Sequence, residues 1–124
     1  MSKMRYMMMH YSDEAMEAGV PPTPEVLAEL GKFMAECAEA GVLLAGEGVR
    51  PSSMGARLVV EDGTMRVLDG PFAEAKELIA GFAIVDVKSR DEAVEYAKRF
   101  AKITGVTQID IRLVAEYSDF EQPD

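Results

Sequence analysis

Two stripes of apolar residues at helical spacing, an Asp-Gly turn between two β-rich runs, and two strand-like segments apolar at nearly every position predict an α+β fold of the βαββαβ type. In that plan both helices pack on one face of an antiparallel sheet, and the other face must be covered by something else or be polar. At 124 residues the chain suits a single domain, read as one unit over 1–124 with an ordered core of about 4–117 and an acidic tail at 118–124.

Met4–Tyr11 (MRYMMMHY) is a short apolar run with aromatics and reads as the first strand. Met1-Ser2-Lys3 leads straight into it, which is not the build of a signal peptide. The stretch 12–22 holds Gly19, Pro21 and Pro22 and reads as a loop. Thr23 then caps a helix that opens on Pro24, where a missing N–H costs nothing. Val26, Leu27, Leu30, Phe33, Met34 and Cys37 form its stripe and Gly41 its stop, so the helix spans about 24–40.

Residues 42–45 form a short apolar strand, and 47–55, with Gly48, Pro51, Ser52 and Ser53, a loop. Ala56–Glu61 and 64–68 flank Asp62-Gly63, the pair best suited to the positive φ angles of a tight hairpin turn. Asp69-Gly70-Pro71-Phe72 breaks the chain, and 71–78 allows about one helical turn. Ile79–Val87 is a long apolar strand. Ser89-Arg90-Asp91-Glu92 is a capping box for a second helix with the stripe Ala93, Val94, Ala97, Phe100 and Ala101, closed by Gly105. In the last strand, 107–117, Ile109, Ile111, Leu113 and Ala115 alternate with polar residues.

The first strand and Ile79–Val87 show no polar face, so the sheet surface without helices is expected to be apolar too. Its simplest cover is the same face of a second copy, giving a homodimer of the dimeric α+β barrel kind; a ligand or a foreign partner on that face is the alternative.

Composition narrows the classes of function. The net charge of −9, with 13 Lys and Arg scattered among 22 acids, argues against nucleic acid as a partner. Cys37 is the single cysteine, which rules out a disulfide framework and a CxxC site and fits a reducing cytoplasm. No apolar stretch approaches the ~20 residues that span a bilayer, so no membrane is expected. The sequence holds no HExxH, Walker loop, GxSxG or metal-ligand cluster, and no cofactor is expected.

Three groups of residues remain as candidates for chemistry. His10 is the sole histidine, on the strand face of Tyr6 and Met8, and unperturbed imidazole titrates closest to working pH; the plain reading is a strand-end or interface histidine. Asp69, Glu74 and Lys76 surround Gly70-Pro71-Phe72. At the mouth of a cleft a carboxylate there could take a proton from a substrate, whereas the plain reading has Asp69 capping the turn and Phe72 plugging the core. Arg50, Ser52, Ser53 and Arg57 put two cations and two hydroxyls near one loop, a set suited to an anionic group and equally to a solvated surface. Met7, Met8 and Met9 suit a core or a dimer seam.

The run Asp69-Gly70-Pro71-Phe72-Ala73-Glu74-Ala75-Lys76-Glu77-Leu78-Ile79-Ala80-Gly81-Phe82 closely resembles the signature of the DGPF group of the YCII-related family. The resemblance continues through Gly41-Val42-Leu43-Leu44-Ala45-Gly46-Glu47-Gly48, Pro51-Ser52-Ser53, Val87-Lys88-Ser89 and Asp91-Glu92-Ala93, from about Met4 to Phe120. It implies a ferredoxin-like, dimeric α+β barrel. Some members look like small-molecule enzymes that use a His–Asp pair, and DGPF domains occur fused to sigma-factor-like proteins. Where that pair would fall, this chain reads Thr23-Pro24-Glu25 and Gly48-Val49-Arg50-Pro51-Ser52-Ser53, so the pair is not carried over.

Two functions are expected from these readings. The first is a homodimer that binds a small molecule in the cleft between sheet and helices, as a cofactor-independent acid/base enzyme of the lyase or isomerase type. Asp69 or Glu74 would be its base, His10 its acid, and Arg50 or Arg57 its anion clamp. The second, drawn from the resemblance, is a non-catalytic regulatory or interaction module linked to sigma-factor-type transcription control.

Overall fold

A computed structural model describes residues 3–120, so the part of the acidic tail at 121–124 lies outside the described residues. The chain runs through β1 (Met4–Tyr11), α1 (Glu14–Glu17), α2 (Pro24–Glu39), β2 (Leu43–Gly48), β3 (Ala56–Glu61), β4 (Thr64–Asp69), β5 (Ile79–Val87), α3 (Arg90–Thr104) and β6 (Ile109–Leu113). Short 3₁₀ turns lie at Ser52–Met54, Ala75–Glu77 and Tyr117–Phe120.

Four strands form one antiparallel sheet in the order β2-β5-β1-β6, the ferredoxin-like arrangement, while β3 and β4 make a separate two-stranded ribbon. The β3–β4 pair is the expected hairpin, with Asp62 and Gly63 both at positive φ.

Local signals place the helix ends. Thr23 Oγ1 accepts from the Val26 N–H at 3.2 Å and Ser89 Oγ from the Glu92 N–H at 3.1 Å, satisfying donors that the helix cannot. Gly105, at φ 80°, ends α3 with its N–H on the Ala101 carbonyl.

Four expectations shift. The stretch 12–22 is not all loop, because Asp13 Oδ1 accepts from the Met16 N–H at 2.8 Å and starts the single turn of α1. β2 continues past Gly46, since Glu47 and Gly48 still pair with Phe82 and Gly81. The last strand is shorter than 107–117: pairing with β1 stops at Tyr6 and Leu113, and the chain turns at Tyr117–Phe120. Leu27, assigned to the stripe of α2, is 52% exposed.

The core lies between the sheet and the two long helices. Tyr6, Val42, Val85, Val87 and Ala93 are buried there, with Met8, Tyr96 and Ile111 packed against them. Residues paired across an antiparallel ladder share a face, so Tyr6 with Val85 and Met8 with Ala83 and Ile111 define the helix side. By the same register Met7, Met9, Phe82, Ile84 and Ala45 fall on the helix-free side. That side is only partly apolar: Arg5 and Asp86 pair across β1 and β5 on it, and Arg112, Asp110 and Glu47 share it opposite Met7, Met9 and Phe82, because β6 and β2 turn charged residues away from the helices.

Candidate active site

Between the sheet and helices α2 and α3 lies an open cleft of about 270 Å³. Its walls are Met8 and His10 from β1, Met16 from α1, Val26, Leu30, Phe33, Met34 and Cys37 from α2, Ala83 and Val85 from β5, and Tyr96 and Phe100 from α3. The amphipathic stripes that hold the helices on the sheet thus also make the cleft apolar. The two long helices meet through Phe33 and Tyr96, whose ring centroids are 6.5 Å apart.

His10 sits at one end of this cleft, half-buried, opposite Gly81 in the β1–β5 ladder. A Cβ at position 81 would fall 2.6 Å from His10 Cε1 and 2.8 Å from the Glu47 carbonyl oxygen, so glycine makes room for the imidazole across β5. Phe100 flanks it with its ring centroid 5.0 Å away, tilted by 48°. No described residue hydrogen-bonds the ring nitrogens of His10. Burial pushes its pKa below the ordinary value of 6.5, which keeps the imidazole neutral at pH 7 and leaves one nitrogen able to accept a proton.

Two other titratable side chains in the cleft wall are held protonated. Burial pushes both the Cys37 thiol and the Tyr96 hydroxyl up from their ordinary values. Thr104 is engaged, its hydroxyl donating to the Phe100 carbonyl at 2.9 Å. Arg99 stays outside, with its guanidinium 4.7 Å from the Phe33 ring centroid and a bond to Glu36 at 2.5 Å. Glu47 is the one ionic residue among the lining positions, and its pairing with Phe82 assigns its side chain to the opposite sheet face.

Of the remaining sequence candidates, Ser52 is the centre of a separate cluster. The Glu17 carboxylate accepts from the Ser52 N–H at 2.7 Å and from the Ser52 hydroxyl, while Ser52 Oγ accepts from the Phe72 N–H at 3.0 Å. The Gly70 N–H donates to the Gly55 carbonyl at 3.1 Å, and the Gly70-Pro71 peptide is cis. A Cβ on Gly70 would fall 1.7 Å from the Ser52 carbonyl oxygen, so this segment approaches the Ser52 turn as only glycine can.

Phe72 does not plug the core. It is half-buried beneath the Arg57 guanidinium, 4.0 Å from the ring centroid, because β3 and β4 stand apart from the main sheet. Asp69, Glu74, Lys76, Arg50 and Ser53 are exposed, and none of them lines the cleft. Asp69 makes no side-chain hydrogen bond among the described residues, so the capping expected of it is absent there. Of the candidates, the structure brings Ser52 and Arg57 together around Phe72 and leaves His10 alone in the cleft.

Sequence reasoning passed over Gly81 and Phe100 as partners of His10. A glycine inside a largely apolar strand was the available signal, since it marks a close approach of another group. Among the described residues no group of three or more His, Cys, Asp or Glu could hold a metal ion, and no helix is long and apolar enough to cross a membrane.

Two comparisons with known proteins bear on the chain. The model of the YCII-related domain matches residues 4–113. An uncharacterized protein of Rhizobium meliloti (strain 1021), R00369, is 31% identical over 123 residues, covering 97% of this chain and 99% of that protein.

Proposed function

The chain belongs to the YCII-related domain family, and from that footing we propose a small-molecule-binding homodimer whose site is the cleft between sheet and helices. Its chemistry on this reading is cofactor-independent proton transfer of the lyase or isomerase kind. The observation that carries it is one imidazole, unpartnered among the described residues and kept neutral by burial, at the end of an apolar cavity. A general base must be unprotonated at working pH and have room for the proton's source beside it; burial lowers the pKa of His10, and the cleft supplies the room. Asp69 and Glu74 lie outside the cleft walls, which favours His10 over either carboxylate as the base on this reading.

Support for the homodimer is the helix-free sheet face, where Met7, Met9, Phe82 and Ile84 lie side by side with no helix over them. A thermal-shift survey of small metabolites tests the cleft reading. Ligands present at 100 times their Kd should raise stability by about 2.7 kcal/mol, several degrees in Tm, and should not do so in Ala83→Leu, which fills the cavity. For a ligand that is turned over, His10→Gln should cut kcat by roughly 10²–10⁴ with the fold intact. Turnover unaffected by His10→Gln sinks the catalytic assignment.

The hairpin favours a second reading, a non-catalytic interaction module. Leu58, Val60, Met65 and Val67 share one face of the β3–β4 ribbon and are 57–69% exposed. If Val60→Lys with Val67→Lys leaves the self-association of the chain unchanged, that face is free for a foreign protein. If the double substitution splits the homodimer, the face belongs to the chain's own assembly and this second reading falls.

A further inference from the structure

The lining of the cleft selects a class of ligand, a selection that rests on the cleft being the proposed ligand site. We infer that it takes an uncharged, largely apolar compound of one or two rings that presents a single hydrogen-bond donor to His10, and that it rejects carboxylates and phosphates. Three observations carry this, and each concerns a different property of the ligand.

Size comes from the cavity. An apolar protein cavity of roughly 150 Å³ holds one benzene, and the cleft measures about 270 Å³. A bicyclic aromatic fits it, and a nucleotide does not.

Charge comes from what the walls lack. No lysine or arginine lines the cleft. Arg99, the cation of α3 that packs on Phe33, is engaged by Glu36, while Arg57 lies over Phe72 in the other cluster. An anion moved from water into such walls loses its hydration with no cation to replace it, which is prohibitive beside the gain from apolar contact. The net charge of −9 adds a repulsive field around the mouth.

Polarity comes from His10. Its ring nitrogens have no hydrogen-bonding partner among the described residues, and the ring faces the cavity between Phe100 and the notch at Gly81. An imidazole in that place accepts one hydrogen bond from a hydroxyl or amide of the ligand, and the aromatic and methionine side chains around it grip the rest by dispersion and sulfur–ring contacts.

Three naphthalene probes at pH 7.5 separate these properties: 1-naphthol, naphthalene and 1-naphthoate, titrated into the full chain labelled with ¹³C at its methionine methyl groups. Met8, Met16 and Met34 line the cleft, whereas Met54 and Met65 are exposed elsewhere and serve as internal controls. The expected result is a shift of the three cleft methyls without the two controls, and 1-naphthol binding at least tenfold tighter than 1-naphthoate. In His10→Leu, 1-naphthol should bind no tighter than naphthalene. Naphthoate binding as well as naphthol through the cleft methyls overturns the ligand class and leaves the cleft as a site. A naphthol preference that survives His10→Leu overturns the role of the imidazole. Cleft methyls that stay unmoved by all three probes overturn the cleft itself, and this inference with it.

Discussion

At the scale of single residues, Gly70 and Asp69 stand side by side with opposite expectations. A Cβ on Gly70 would fall 1.7 Å from the Ser52 carbonyl oxygen, an overlap no side chain tolerates, and the neighbour it would strike is backbone. Gly70→Ala should therefore cost on the order of 3 kcal/mol, read as a lowered denaturant midpoint. Asp69→Asn, at an exposed carboxylate with no described bond, should change stability by less than about 0.5 kcal/mol. A large loss from Asp69→Asn would restore the capping role. The sequence marked this turn clearly but not what holds it, because Ser52 lies 20 positions before Phe72 and reaches it only through the tertiary fold. His10 was equally visible as the sole histidine, while the burial that sets its state is tertiary. The sign of its effect follows from that burial. The unfolded chain takes up a proton near pH 6.5 and the folded chain only below that, so stability is full above pH 6.5 and falls as pH drops through it. Glu116, whose carboxyl Arg5 holds below its ordinary 4.5, begins to add its own loss only in stronger acid than His10 does. Chemical denaturation between pH 5 and 8 should show the first slope in the native chain and not in His10→Gln.

At the scale of elements, the helices were legible because their signals are local. Ser89 and Thr23 cap through bonds that span three residues, and the stripes between cap and stop glycine need no knowledge of the sheet. Ser89→Ala should destabilise by about 1 kcal/mol, with the loss of helicity at the first turn of α3 seen in amide exchange of Asp91 and Glu92. Strand ends were less legible, since a strand stops where its partner stops. β6 ends at Leu113 because its pairing with β1 ends at Tyr6, and the following Val114 N–H bonds the Arg5 carbonyl as the chain leaves the sheet. The turn of α1 escaped notice for a different reason: four residues cannot show a stripe, and only the Asp13 cap betrays it. Leu27 shows the limit of a stripe, because spacing alone places it on the apolar arc while the side chain stays half exposed.

At the scale of the whole molecule, the two faces of the main sheet have different fates. Helices α2 and α3 cover one, and it contains the cleft. Across the other, register aligns Met7 with Ile84 and Met9 with Phe82, flanked by the Arg5–Glu116 pair and the Tyr11–Asp110 bond at 2.6 Å. An apolar centre ringed by polar side chains suits an interface, while Arg112 opposite Met7 and Asp86 opposite Arg5 put charge on the same face. A stable contact needs about 800 Å² from each partner, more than four side chains offer, so a homodimer on this face would have to use most of it. Ile84, opposite Met7 near the middle, is where a charge does most harm. Ile84→Lys would bury an unpaired ammonium twice in a two-fold seam, and about 3 kcal/mol weakens association by more than 100-fold. Sedimentation at micromolar concentration should then give a dimer for the native chain and a folded monomer for the variant. Because two copies at −9 repel each other, the native dimer should also tighten as salt is raised. A native chain that sediments as a monomer at every salt concentration removes the homodimer, while an Ile84→Lys variant that stays dimeric moves the seam off this face and toward the hairpin.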